Sequence, residues 1–77
     1  MRARAEEWVD SARQTIAAAV RERIALDGAD LEDVARRCAT SPAVVRSVQA
    51  GGVPSSFELA VRMGVGVGVR LRVEALP

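Results

Sequence analysis

The sequence lacks most of the residues from which catalytic and metal centres are built. It has no histidine, and Cys38 is its single cysteine. A disulfide within the chain is therefore excluded, and neither a zinc cluster nor histidine-based acid–base catalysis can be assembled. No nucleophile–base pair is visible either. We expect no metal, no cofactor and no catalytic residue, and the sequence does not predict an enzyme.

The sequence is also short of aromatic residues and of long apolar runs. Aromatic residues make up 3% of the 77 residues, whereas 49% are hydrophobic, mostly alanine and valine. Such small side chains favour close packing between helices and leave no room for a large ligand cavity, so we expect no small-molecule ligand. No apolar run approaches the ~20 residues of a membrane span, and acidic residues follow the basic start where a signal peptide is apolar. The length predicts a single domain, residues 1–77. The missing span and signal peptide lead us to expect a cytoplasmic protein.

Positive and negative charges are nearly balanced in the sequence. The chain has 11 basic and 10 acidic residues, so its formal net charge is +1. Any attraction to phosphate must therefore come from the local arrangement of charges. Arginine carries the positive charge, and arginine binds phosphate and guanine better than lysine does. A GC-rich genome also favours arginine codons, so the arginine content by itself does not indicate a nucleic-acid partner.

What the sequence does contain is a helical pattern that begins near its N-terminus. Residues 5–26 carry an apolar stripe at three- and four-residue spacing, which is typical of an amphipathic helix. Ser11 offers a second helix start, so the chain either continues or breaks there, and Gly28 ends the pattern. Trp8 lies at the N-terminal end of the stripe, where it either seals the edge of the core or contacts another subunit.

Three shorter helical segments follow, each bounded by residues that favour helix ends. Serine and aspartate cap helix starts, proline tolerates the first position because the N–H there is unpaired anyway, and glycine ends helices. The boundary residues are, in chain order, Asp30, Ser41, Pro42, Gly51, Gly52 and Ser55. They predict helices over about residues 31–38 and 42–50, and a fourth helix capped by Ser55.

The apolar pattern changes from helical to alternating near the C-terminus. Apolar side chains alternate with glycine and charged residues over residues 68–75, which predicts a half-buried β-strand. No second strand pattern exists with which this strand could form hydrogen bonds. The natural partner is the same strand of a second copy, antiparallel about a two-fold axis. The sequence thus predicts a homodimer, with the interface residues Val69, Leu71, Arg72 and Val73.

The two central segments resemble a known family. Residues 31–37 (LEDVARR) followed by residues 41–48 (SPAVVRSV) are similar to the helix-turn-helix of phage Cro and repressor proteins and of their bacterial relatives, the XRE-type regulators. The similarity covers about residues 16–73, with the motif at 31–50. It implies a mainly α-helical, compact four-to-five-helix domain of the lambda-repressor-like kind, with one C-terminal strand that pairs across the dimer.

Two positions depart from the family pattern. Ala39 stands where the family usually has a glycine with positive φ, and alanine in that conformation costs on the order of 1 kcal/mol. Either the turn differs or the protein bears that strain. Leu31 stands where the family often has a glutamine that contacts a phosphate, so one orienting contact is missing.

The resemblance assigns base reading to the outward residues of the second motif helix. Val45 and Val48 are apolar and hold this helix against the first one, which turns the opposite face toward a major groove. The positions that match the family's base-reading residues are Pro42, Ala43, Arg46, Ser47 and Ala50. Arg46 is the strongest candidate, because its guanidinium can donate two hydrogen bonds to guanine. The alternative interpretation of Arg46 is a solvated surface charge that contacts no base.

Phosphate contacts are expected around the ends of the same helix. Helix N-termini and glycine-rich turns present N–H donors to anions. This makes Ser41, Gly51 and Gly52 the candidates, with Arg37 and Arg13 as additional contacts.

These observations favour a sequence-specific double-stranded DNA-binding protein that acts as a transcriptional regulator. Within the family resemblance, a dimeric phage Cro-like or repressor-like protein is the first interpretation, cytoplasmic and nucleoid-associated in a bacterial host. An autoregulating antitoxin of a toxin–antitoxin pair shares the same DNA chemistry and stays open. A protein-interaction module that keeps the fold without binding DNA is the third possibility, and the net charge of +1 favours it.

Overall fold

Four α-helices make up most of the chain in a computed structural model that describes the backbone of residues 2–72 and the side chains of residues 5–72. They are α1 (Arg2–Asp27), α2 (Leu31–Arg37), α3 (Pro42–Gln49) and α4 (Phe57–Gly66). The mainly helical architecture expected from the sequence is therefore present. α4 packs most extensively on α1, and α2 on α3.

The N-terminal pattern forms one continuous helix, so the possible break at Ser11 does not occur. Inside α1, the Thr15 hydroxyl donates a hydrogen bond to the Ser11 carbonyl at 2.9 Å. The apolar stripe runs through this point without a change of register, and its residues Ile16, Val20 and Ile24 are buried. Burial of a continuous stripe outweighs the local preference of one serine for a helix start.

The core lies where the four helices meet and consists of small and medium-sized side chains. Ala17, Val34, Cys38, Val45, Ala60 and Met63 are completely shielded from solvent. The Cys38 thiol donates to the Met63 carbonyl at 3.6 Å, which satisfies its weak donor. Burial raises the pKa of the Cys38 thiol, and the charges of Arg37 and Arg62 oppose this only in part. Cys38 is thus a core residue and not an accessible thiol.

The last three helices end in the same way. After each of them, two backbone N–H groups turn back to carbonyls of the final turn at 2.8–3.1 Å, which is the Schellman arrangement. It requires one residue in the left-handed conformation just beyond the helix. Those residues are Ala39 (φ 52°), Gly51 (φ 105°) and Gly68 (φ 83°).

The helix starts are capped by serines at two places. Ser41 accepts a hydrogen bond from the Val44 N–H at 3.3 Å, in the N-cap role expected for it. The cap of α4 is Ser56, which accepts from the Leu59 N–H at 3.1 Å, and the expectation that Ser55 has this role was wrong by one residue. Either serine can cap a helix by its chemistry, and the register of α4 against the core decides between them.

The predicted C-terminal strand is not supported, because no residue between 68 and 72 is in a strand. The N–H groups of Gly68 and Val69, which would serve a β-ladder, are bonded to the Val65 and Gly64 carbonyls of α4. Val69 then packs on the core, and Leu71 lies over Gly64. The alternation of apolar residues here reflects a segment lying on a helix layer. Residues 73–75 of the predicted strand, including Val73 of the expected interface, lie outside the described residues.

Candidate nucleic-acid interface

A tight turn connects α2 to α3 and depends on Ala39. Its φ of 52° places this alanine in the left-handed region, as the family pattern requires of the glycine usually found there. The bonds from the Ala39 N–H to the Arg36 carbonyl (3.1 Å) and from the Thr40 N–H to the Ala35 carbonyl (2.9 Å) close the turn. Of the two alternatives for this position, the turn is kept and the alanine is strained. Such strain costs on the order of 1 kcal/mol.

α3 is held by its inner face and by one charged hydrogen bond. Val45 and Val48 are buried against the rest of the domain, with relative exposures of 0% and 1%, as expected. The Arg21 Nε of α1 donates to the Val48 carbonyl at 2.8 Å, near the C-terminal end of α3. A cation at this end also interacts favourably with the helix dipole. Sequence reasoning missed Arg21, because no local pattern shows which carbonyl a long side chain will reach.

The outer face of α3 is free of other protein elements among the described residues. All five residues expected to read bases are exposed on it: Pro42, Ala43, Arg46, Ser47 and Ala50. Within the part of the chain that the structure describes, Arg46 takes part in no ion pair, so its guanidinium remains available to a partner. The Ser47 hydroxyl is less open, because it lies against the Gly52 backbone.

Gln49 belongs to the same outer face and was missed from the sequence. It is exposed, three residues after Arg46 and seven after Pro42, which places the three side chains along one line of the helix. A glutamine amide can donate and accept at once, and it pairs with adenine in the major groove. The seven-residue spacing from Pro42 is the signal that could have identified it.

The phosphate candidates at the C-terminal end of α3 have structural roles. The N–H of Gly51 donates to the Val48 carbonyl at 3.1 Å, and that of Gly52 donates to the Ser47 carbonyl at 2.8 Å. A Cβ atom on Gly52 would lie 2.6 Å from the Ser47 Oγ and 2.8 Å from the Ser47 carbonyl oxygen, so this position requires glycine. Both donors that were expected to face a phosphate thus complete the cap of α3.

The remaining phosphate candidates are placed differently from one another. Ser41 and Arg37 are exposed at the two ends of the α2–α3 turn. Arg13, by contrast, is directed inward, where its guanidinium donates to the carbonyls of Pro54 (3.3 Å) and Ser55 (3.1 Å). It also forms an ion pair with Asp10 at 2.7 Å. Arg13 therefore anchors the loop between α3 and α4 to α1.

An open apolar groove lies beside α1, away from the outer face of α3. Its volume is about 690 Å³, and it is lined by α1, by α4 and by residues 69–72. Three of the expected dimer residues, Val69, Leu71 and Arg72, are among its lining residues. The expectation that small side chains leave no room for a cavity was therefore wrong for the surface, because α1 is longer than the helices packed on it.

The described residues include neither a membrane-spanning helix nor a metal-binding cluster. Within residues 2–72, none of the helices combines the length and the apolar character needed to cross a bilayer. Nor do the side chains described there include a group of three or more histidine, cysteine, aspartate or glutamate residues arranged to hold a metal ion.

Comparisons with known proteins gave no relative. The chain matches no protein-family model, no curated protein sequence and no solved structure.

Proposed function

We propose that this chain binds double-stranded DNA in a sequence-specific manner as a transcriptional regulator, with the outer face of α3 in the major groove. The observation that carries the proposal is the division of α3 into two faces. Val45 and Val48 anchor it inward, while Arg46 and Gln49 project from a surface that no other described element covers. A single projecting helix of this kind has the width that a major groove accepts.

The side chains on this face favour a particular kind of base readout. Arg46 suits guanine and Gln49 suits adenine, since each can make two hydrogen bonds to the major-groove edge of its base. Ala43 is small and apolar and suits contact with a thymine methyl group. The face has few long polar side chains, so DNA shape supplies part of the specificity.

Phosphate binding is proposed for the α2–α3 turn. Ser41 and Arg37 are exposed there, and the N-terminal end of α3 adds its dipole. Gly51, Gly52 and Arg13 are not part of this proposal, because their donors are used within the domain. A net charge of only +1 gives little general attraction to DNA, so binding depends on this local arrangement.

Selection of bound sequences from a random duplex library tests the proposal. A consensus that contains a G and an A within one half-site is expected from Arg46 and Gln49. Enrichment of no sequence at low salt would contradict sequence-specific binding.

The role of Arg46 is tested by a pair of variants with the same change of charge. Arg46→Ala is expected to weaken specific binding by roughly 1–3 kcal/mol and to relax the preference at one base pair. Arg23→Ala removes a cation from α1, where it pairs with Asp27 at 3.4 Å, and is expected to bind nearly as the unmodified chain does. Equal affinity of the two variants for the selected site would show that Arg46 does not read a base.

A protein-interaction module is the second candidate, and the apolar groove favours it. The salt dependence of binding to random DNA separates the two functions. A DNA-binding protein loses affinity steeply as salt rises because it releases counterions from phosphates, whereas an interaction module has no such affinity to lose. An autoregulating antitoxin would show the DNA behaviour and in addition co-purify with its toxin.

A further inference from the structure

The N-terminal end of α1 extends beyond the helices that cover the rest of it. None of the side chains from residue 5 to residue 11 is fully buried, and burial begins at Ile16. With 26 residues, α1 is about 39 Å long at 1.5 Å per residue, which is close to the 41 Å length of the whole molecule. Its first turns, as far as Glu7, therefore project beyond the domain, whereas Trp8 reaches Phe57 of α4.

This projecting end has two chemically different sides. At 100° per residue, its apolar side chains fall within an arc of about 100°. They are Ala5, Trp8, Val9 and Ala12. The acidic residues Glu6, Glu7 and Asp10 occupy the remaining arc. Trp8 is 53% exposed although it is the largest side chain of the protein, so the apolar side is only partly covered.

The groove beside α1 complements this projecting end in its apolar surface and in its charge. Its floor is formed by apolar side chains of α1 and α4, including Ile16 and Phe57, and by Leu71, which is 39% exposed. Arg70 lines its rim on the side of the C-terminal segment. A helix that fills such a groove needs an apolar side for the floor and acidic residues near the rim.

The projecting end of α1 meets both requirements, and it borders the groove itself. Trp8 lies 6.0 Å from Phe57 between ring centroids, and Ala12 lines the groove as well. Residues that belong both to a docking helix and to the groove that receives it are the property of a self-complementary two-fold interface. The small residues Ala5, Ala12 and Ala19, seven apart along α1, allow two such helices to approach closely.

We propose that the groove binds the N-terminal end of α1 from a second copy of this chain, so that two α1 helices cross antiparallel near Trp8 and Ala12. Glu6 and Glu7 of each copy then face Arg70 of the other. The dimer leaves the outer face of α3 uncovered. It does not rest on the proposed DNA binding, and its tests contain no DNA.

Dilution of the unmodified chain is the first test. Trp8 is the only tryptophan, so intrinsic fluorescence reports on this surface alone. We expect sedimentation to give a dimer that dissociates across the micromolar range and the emission of Trp8 to shift to the red with the same midpoint. A monomer at all concentrations overturns the proposal, and so does a dimer whose dissociation leaves the emission unchanged.

Charge exchange tests the orientation. The double variant Glu6→Arg, Glu7→Arg is expected to weaken dimerisation about tenfold, because each contact occurs twice across the axis and attraction becomes repulsion. Adding Arg70→Glu is expected to restore most of the loss. All three positions are exposed, so folding is preserved and can be checked by circular dichroism. Absence of any rescue overturns the contact between Arg70 and the acidic end.

Disulfide trapping tests the crossing point without a charge change. In a Cys38→Ala background, Ala12→Cys is expected to form an intermolecular disulfide under mild oxidation. Ala25→Cys, an exposed position farther along α1, is the matched control and is expected to remain reduced under the same conditions. Equal trapping at both positions would indicate random collision and overturn the proposed crossing.

Discussion

The close approach of α4 to α2 at Gly66 gives a prediction that can be worked out from distances. A Cβ atom on Gly66 would lie 2.8 Å from the Cys38 Sγ, 2.9 Å from the Arg37 carbonyl oxygen and 3.0 Å from the Cys38 Cα. Two of these atoms belong to the backbone at the end of α2 and cannot rotate away. Overpacking of this kind costs typically about 1–3 kcal/mol. The gain in helix propensity from alanine, up to about 1 kcal/mol, offsets only part of it.

Gly66→Ala is therefore expected to lower the free energy of unfolding by about 1–2 kcal/mol. For a domain of this size each kcal/mol corresponds to roughly 4–8 °C in Tm. Thermal and urea denaturation followed by circular dichroism measure both quantities, and the dependence on urea concentration shows whether the transition remains two-state.

Gly64→Ala is the matched control on the same helix. Its Cβ atom would lie 3.5 Å from the Ile16 Cγ2 and 3.7 Å from a Leu71 methyl group, which are ordinary contact distances. We expect it to stabilise the protein by about 0.5–1 kcal/mol, since alanine favours the helix and fills space without overlap. The two substitutions add the same methyl group two residues apart, and they are expected to change the free energy of unfolding in opposite directions. Stabilisation by both would refute the contact of Gly66 with the backbone at the end of α2.

Three further predictions concern the turns and the core. Ala39→Gly removes a side chain from a residue at φ 52° and should stabilise the protein by about 1 kcal/mol in urea denaturation, whereas a loss would show that the turn is not left-handed. Arg21→Met removes the 2.8 Å bond to Val48 and should cost about 1–2 kcal/mol, with no change if that bond is absent. Because burial raises the pKa of the Cys38 thiol, the unfolded state releases this proton first as pH rises above about 8.5, and stability should then fall. Below that pH the thiol is protonated in both states, and Cys38→Ala should lack the alkaline decline that the unmodified chain shows.

The sequence predicts the α2–α3 unit well because its boundaries are set by local chemistry. Serine before proline starts α3, and Gly51 begins the turn that ends it, without help from distant residues. Its inward and outward faces follow from helical periodicity alone.

The sequence could not predict the features that depend on long-range packing. The alternation after Gly68 has the appearance of a strand, but its N–H groups are taken by α4. Arg13 was expected to contact a phosphate, and only the folded chain shows that it reaches the carbonyls of residues 54 and 55. The groove exists because α1 is longer than its neighbours, which no local pattern reveals.

Two arginines of α1 couple this helix mechanically to the C-terminal end of α3. Arg21 holds the last turn of α3, and Arg13 holds the loop that follows it, so two separate points at one end of α3 are tied to a single rigid rod. Trp8 lies on the same helix, five residues before Arg13. If a contact at Trp8 tilts α1, the hydrogen bonds of Arg21 and Arg13 must either break or move the C-terminal end of α3 together with α1.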